Sequence, residues 1–134
     1  MNIEKTRQYY AGLTDGDVCD CAYCQNYVHE IKAAYPDLAA YLETLGVDIE
    51  KPFETMPVDA ENGQMLYCGV QYLIMGTGDG FEETSVGSVR VSITDSHPAT
   101  NIEEDHFVIE ISFLYLKWNE KTCKIILTQG KPSM

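Results

Sequence analysis

Three cysteines fall within six residues in the run Cys19-Asp20-Cys21-Ala22-Tyr23-Cys24, a C-x-C-x-x-C spacing. Thiols this close together support three kinds of chemistry. The first is metal binding. Zn²⁺ takes four ligands in a tetrahedron, and closely spaced cysteines in a loop supply two or three of them. Cys19, Cys21 and Cys24 are the candidate ligands, with the fourth from His29, Cys68, Cys123 or water. His29 is the nearest in sequence, although a helix beginning around Tyr23 turns it to a different face from Cys24. The sequence has no second C-x-x-C, which would mark a closed structural zinc site.

The second chemistry is redox exchange by Cys21-Ala22-Tyr23-Cys24. A C-x-x-C at a helix N-terminus has a lowered thiol pKa and is nucleophilic. Here Asp15, Asp17 and Asp20 crowd the pair with negative charge, which is expected to disfavour a thiolate. The upstream strand of a thioredoxin-like unit is also missing. The third reading has no ligand at all. Free cysteine behaves as a small hydrophobe, and a tight loop under a helix can pack three of them.

Other groupings carry weaker signals. Gly76-Thr77-Gly78-Asp79-Gly80 has the glycines of a phosphate loop, but Phe81-Glu82-Glu83 and a strand follow instead of a helix. A loose hairpin turn is the expected role. Asp79, Glu82 and Glu83 lack the spacing of a calcium loop. Glu103-Glu104-Asp105-His106, with His97 nearby, reads as a solvated acidic loop. Three histidines and no nucleophile motif make no catalytic triad, and no catalytic residue is assigned.

Composition narrows the setting. A length of 134 residues suits one domain, 1–134, around one core. At 45% hydrophobic and 22% charged, the chain has the balance of a soluble globular protein. No apolar run is long enough to span a bilayer, and the N-terminus lacks the apolar core of a secretory signal. A cytoplasmic location is therefore expected, where clustered thiols serve more often as ligands or reactive groups than as structural disulfides. Five cysteines also cannot all pair within one chain. The net charge of −12, from 21 acidic and 9 basic residues, repels phosphate backbones and anionic membranes. Neither nucleic acid nor a membrane is an expected partner. The acidic surface favours solubility first, or else attraction to a basic protein partner, because complementary charge steers such encounters. Four of the cations, Lys117, Lys121, Lys124 and Lys131, lie near the C-terminus.

The elements that must hold these residues divide near residue 60. Asn2 caps a helix over 3–11 that Gly12 ends, and 13–17 forms a turn. Val28, Ile31, Tyr35, Leu38, Leu42 and Leu45 then recur in steps of three and four as one apolar stripe. Pro36 interrupts it, which predicts two helices meeting at Tyr35. Gly46 stops the second. The β half begins with a weak strand between 53 and 58. Leu66, Cys68, Val70, Tyr72 and Ile74 are expected on one strand face. A half-buried strand covers 88–94. Phe107, Ile109, Ile111, Phe113 and Tyr115 are expected on one face of a long central strand. A last strand covers 123–128. Short connections predict an antiparallel meander of four to five strands, with the N-terminal helices (about 1–46) packed on one face of that C-terminal sheet (about 53–128): an α+β fold. Nine tyrosines, six of them in the helical half, are expected to be partly buried.

The words Cys19-Asp20-Cys21-Ala22-Tyr23-Cys24-Gln25-Asn26-Tyr27 and Leu45-Gly46-Val47-Asp48-Ile49-Glu50-Lys51-Pro52-Phe53-Glu54 resemble those of a group of small bacterial proteins. That group shares a C-D-C-x-Y-C-x-N-aromatic run and a later L-G-[VI]-D-x-x-K-P-x-E run. The resemblance covers mainly the first half, with a looser match around Tyr67 to Gly76. It implies bacterial origin and a shared fold, and it brings no activity and no catalytic residue.

Two functions follow as expectations. One is a non-enzymatic interaction module whose acidic surface, or a pocket between helices and sheet, receives a basic partner in the manner of an inhibitor or immunity protein. The other is a metal-binding (Zn²⁺) or thiol-redox protein centred on Cys19, Cys21 and Cys24, with His29 as a further ligand.

Overall fold

The structure is a computed structural model that describes residues 1–119. The expected strand over 123–128 lies outside the described residues, as do Cys123, Lys121, Lys124 and Lys131.

The helices follow their local signals. Helix α1 runs Ile3–Ala11, and the Asn2 side chain accepts the N–H of Lys5 at 2.9 Å. Gly12 caps its C-terminus, and a single 3₁₀ turn, Asp15–Asp17, follows. Helices α2 (Ala22–Ala34) and α3 (Pro36–Thr44) meet at Tyr35, and Pro36 occupies the first position of α3. Proline is tolerated there because that N–H has no helical partner. Ile31, Leu38, Leu42 and Leu45 are buried along the stripe.

Among the described residues the sheet has six strands: β1 Glu54–Asp59, β2 Gln64–Met75, β3 Thr84–Val86, β4 Val89–Thr94, β5 His106–Ser112 and β6 Leu114–Lys117. Every pairing is antiparallel. The order is β1-β2-β5-β4-β3, and β6 pairs with β2. The helices lie before the sheet in the chain and pack on it, which makes the fold α+β. Tyr27, Ile31, Leu38 and Leu42 pack in one core with Tyr72, Ile74, Ile109 and Ile111. None of the described helices is long and apolar enough to cross a membrane.

The strand order revises two readings of the sequence. The glycine-rich segment 76–83 is not a hairpin turn. It crosses the ends of β5 and β4 to reach β3, because β5 inserts between β2 and the β3–β4 pair. The faces also differ. Core positions on β2 are Met65 and Tyr67, then Val70, Tyr72 and Ile74. On β5 and β6 they are Ile109 and Ile111, then Leu114 and Leu116. Leu66, Cys68, Phe113 and Tyr115 therefore leave the predicted core face, and Phe113 and Tyr115 are 62% and 52% exposed.

Both strands change phase at the same level of the sheet. Pairing keeps one register on either side, from Val70 opposite Ile111 to Tyr67 opposite Leu114. The β1–β2 register shifts there as well, between Thr55 and Pro57. Such an irregularity re-aims every later side chain. Gly69 permits it: a Cβ at this position would stand 2.8 Å from Met56 Cε and 3.0 Å from Glu110 Cδ.

Strand β2 is longer than β1, so part of its edge has no strand beside it. Helix α1 covers that part. Tyr10 Oη donates to Leu73 O at 2.8 Å and accepts from Leu73 N at 3.0 Å. Thr6 Oγ1 accepts from Met75 N, and Asn2 N donates to Met75 O. Tyr35 does the same for β6, accepting from Tyr115 N and donating to Tyr115 O. These hydroxyls satisfy backbone groups that a further strand would otherwise pair.

Candidate metal centre

The three-cysteine loop lies between the 3₁₀ turn and α2. Cys21 is the N-cap of α2, with extended backbone (φ −65°, ψ 158°). Its sulfur takes the place usually held by a serine or aspartate oxygen and accepts the N–H of Cys24 at 3.4 Å. Gln25 Nε2 donates to Cys19 O at 2.9 Å and ties the loop to the helix. Cys24, in the first turn, is buried, and its Sγ lies 3.2 Å from Thr55 Oγ1 on β1 in a hydrogen-bonded pair. Cys19 and Cys21 are exposed.

The three sulfurs all lie within 4.8 Å of one another. Zn–S bonds of about 2.3 Å in a tetrahedron place sulfurs about 3.8 Å apart, so small side-chain rotations would close the set around an ion. They form the only group of three or more cysteine, histidine or carboxylate ligands within that distance among the described residues.

The two ends of the C-x-x-C differ electrostatically. Partial burial of Cys21 opposes ionisation. The Cys24 N–H, the neighbouring Cys19 and Cys24 thiols and the Tyr23 N–H outweigh it, and the pKa falls below the ordinary thiol value. At Cys21 these hydrogen-bond donors, and not the charge of the nearby aspartates, set the direction of the shift. Asp17, for one, is engaged by Thr14, whose N–H and hydroxyl both donate to Oδ2. Burial is the main cause that pushes the Cys24 thiol up to about 12; its bond to Thr55 lowers it in part, and the Cys21 sulfur raises it further.

His29 is exposed on α2 and is not among the groups brought together. Five helical residues turn it about 140° from Cys24. Cys68 is half-buried on β2, also outside the cluster. The other candidate ligands have local partners. His106 bonds Thr100 Oγ1 and Glu104 O, His97 bonds Pro98 O, and Glu83 pairs with Arg90 at 2.8 Å. Thr55 is the site residue that the sequence did not point to. It lies 31 positions from Cys24 and carries no local signal.

A cavity of about 370 Å³ opens between α1, α3 and residues 46–51. Arg7, Lys32 and Lys51 line it together with Glu43 and Asp48, so its wall is of mixed sign. Lys51 Nζ is already held by the carbonyls of Tyr10 and Leu13 at the end of α1. Comparisons with protein-family models, curated proteins and solved structures return no match for this chain.

Proposed function

We propose that the protein binds a thiophilic metal ion, Zn²⁺ in the first instance, through Cys19, Cys21 and Cys24. The carrying observation is the convergence of three sulfurs within 4.8 Å. Thiolates favour soft and borderline ions over Mg²⁺ or Ca²⁺. Three protein ligands leave one position for water, as in exchangeable or catalytic sites and unlike closed structural ones. The lowered Cys21 pKa supports the reading, since a ligand must shed its proton before it binds. Titration of reduced protein against a chromophoric chelator is expected to show one Zn²⁺ per chain. Cys19→Ser and Cys21→Ser should each weaken binding by at least about tenfold, while Cys68→Ser and His29→Ala leave it unchanged. Equal affinity in the Cys21→Ser protein would sink the proposal.

A second reading is a docking module for a basic protein partner. The net charge of −12 favours it. So does an apolar row on the outer sheet face, where Val58 pairs with Leu66 and Leu66 with Tyr115. A captured basic partner should then release as salt rises, because exposed charge attraction is screened. Capture indifferent to ionic strength would count against it.

A further inference from the structure

We propose that Cys21 and Cys24 form a reversible disulfide by exchange with low-molecular-weight disulfides, and that its formation switches the metal site off. The inference rests on the metal-binding reading for its second half only. Its structural basis is the arrangement of the pair. Cys21 is exposed and Cys24 is buried behind it. An external disulfide therefore meets Cys21 first. Residues three apart at a helix start are neighbours, and these two sulfurs lie within 4.8 Å. The Cys24 N–H at the N-terminus of α2 points at the Cys21 sulfur and favours the charge of an attacking thiolate. Cys19 is held through its backbone carbonyl, which accepts from Gln25.

The exchange runs in two steps. The Cys21 thiolate attacks one sulfur of the external disulfide. A mixed disulfide forms and one external thiolate leaves. Cys24 then passes its proton to that thiolate and attacks the Cys21 sulfur. The Cys21–Cys24 bond forms, and the second external thiolate leaves and takes up the proton that Cys21 had released. One external disulfide is reduced to two thiols, and the protein dithiol is oxidised. Two of the three sulfurs are then unable to bind an ion, and Cys19 alone remains.

Metal-free, reduced full-length protein treated with glutathione disulfide tests this, read by intact mass and peptide mapping. The expected product is lighter by two hydrogens, with the bond mapped to Cys21 and Cys24. Cys24→Ser should trap one glutathione on Cys21. Cys21→Ser should slow oxidation by at least about tenfold, since the attacking thiolate sets the rate. Mapping on the unmutated chain decides the matter even if a variant folds poorly. A bond to Cys19 instead, or oxidation of Cys21→Ser at the unmutated rate, overturns the pair. Zn²⁺ affinity of the oxidised protein should fall by more than about 100-fold, because even outer-shell losses cost about 10–100-fold. Unchanged affinity overturns the switch. If reduced protein binds no Zn²⁺, the metal reading fails, and the mapping alone judges the disulfide.

Discussion

Raising the pH from about 8 to about 13 is expected to unfold the protein in one cooperative step, driven by three buried tyrosine hydroxyls. Tyr10, Tyr27 and Tyr72 all have pKa values raised above the ordinary tyrosine value, chiefly by burial. Their protons are all engaged, two by backbone carbonyls and one by a neighbouring hydroxyl. Tyr72 donates to Ile49 O at 2.6 Å, so the 2.7 Å bond it shares with Tyr27 must be donated by Tyr27. Tyr10 donates to Leu73 O at the sheet edge. Ionising any of them puts a buried phenolate against a carbonyl oxygen or another hydroxyl. The unfolded chain ionises at the ordinary value of about 10. The folded state's advantage is thus complete below that pH and shrinks above it, by up to about 1.4 kcal/mol per pH unit for each hydroxyl. Three such groups consume a typical stability of about 5–15 kcal/mol within a few pH units. Tyrosinate absorbance followed together with Trp118 fluorescence measures this. The buried tyrosines should titrate only as the fold is lost. Titration of all nine near the ordinary value in protein that stays folded would refute the argument.

Gly46→Ala is expected to cost considerably more stability than Gly80→Ala, although the two backbones are alike. Gly46 has φ +84° and Gly80 φ +83°, a region where a side chain costs about 1–2 kcal/mol. The surroundings differ. A Cβ at Gly80 meets nothing within 4 Å. At Gly46 it stands 2.6 Å from Ile3 O, 3.0 Å from Arg7 N and 3.2 Å from Thr6 Cβ. Two of these are backbone atoms of α1, which cannot yield without moving the helix. Helix α1 in turn holds the open edge of β2 through Thr6 and Tyr10. The Gly46 variant should therefore lose about 2–4 kcal/mol beyond the Gly80 variant in urea denaturation, the range of buried overpacking with loss of edge hydrogen bonds. Equal losses in the two variants would show that α1 is not seated as described.

The elements that proved legible were those with signals inside a few residues. The Asn2 cap, the Tyr35–Pro36 junction and the Gly46 stop each depend on one residue's conformational limits, and each stands where the sequence placed it. The strands of residues 54–117 were also visible as runs of apolar and β-branched residues, except the short β3 and the break at Phe113 that divides the expected long strand into β5 and β6. Their facing was not. Alternation was read straight through Gly69 and Ser112, whereas both strands change phase there, and that depends on how Gly69 meets Met56 and Glu110 from neighbouring strands. Tyrosine abundance was visible, but not that Tyr10 and Tyr35 serve as substitutes for missing edge strands.

For the thiol site, the sequence by itself determined the three cysteines, their spacing and their place just ahead of a helix. Those are local matters of chain geometry. The tertiary structure decided their inequality. Cys24 is buried with its sulfur beside Thr55 of β1, and that burial pushes its thiol up to about 12. Cys21 stays at the surface, where the N–H groups at the start of α2 bring its pKa down. Burial and hydrogen bonding are properties of the packed molecule, so no spacing rule could assign the two sulfurs opposite characters.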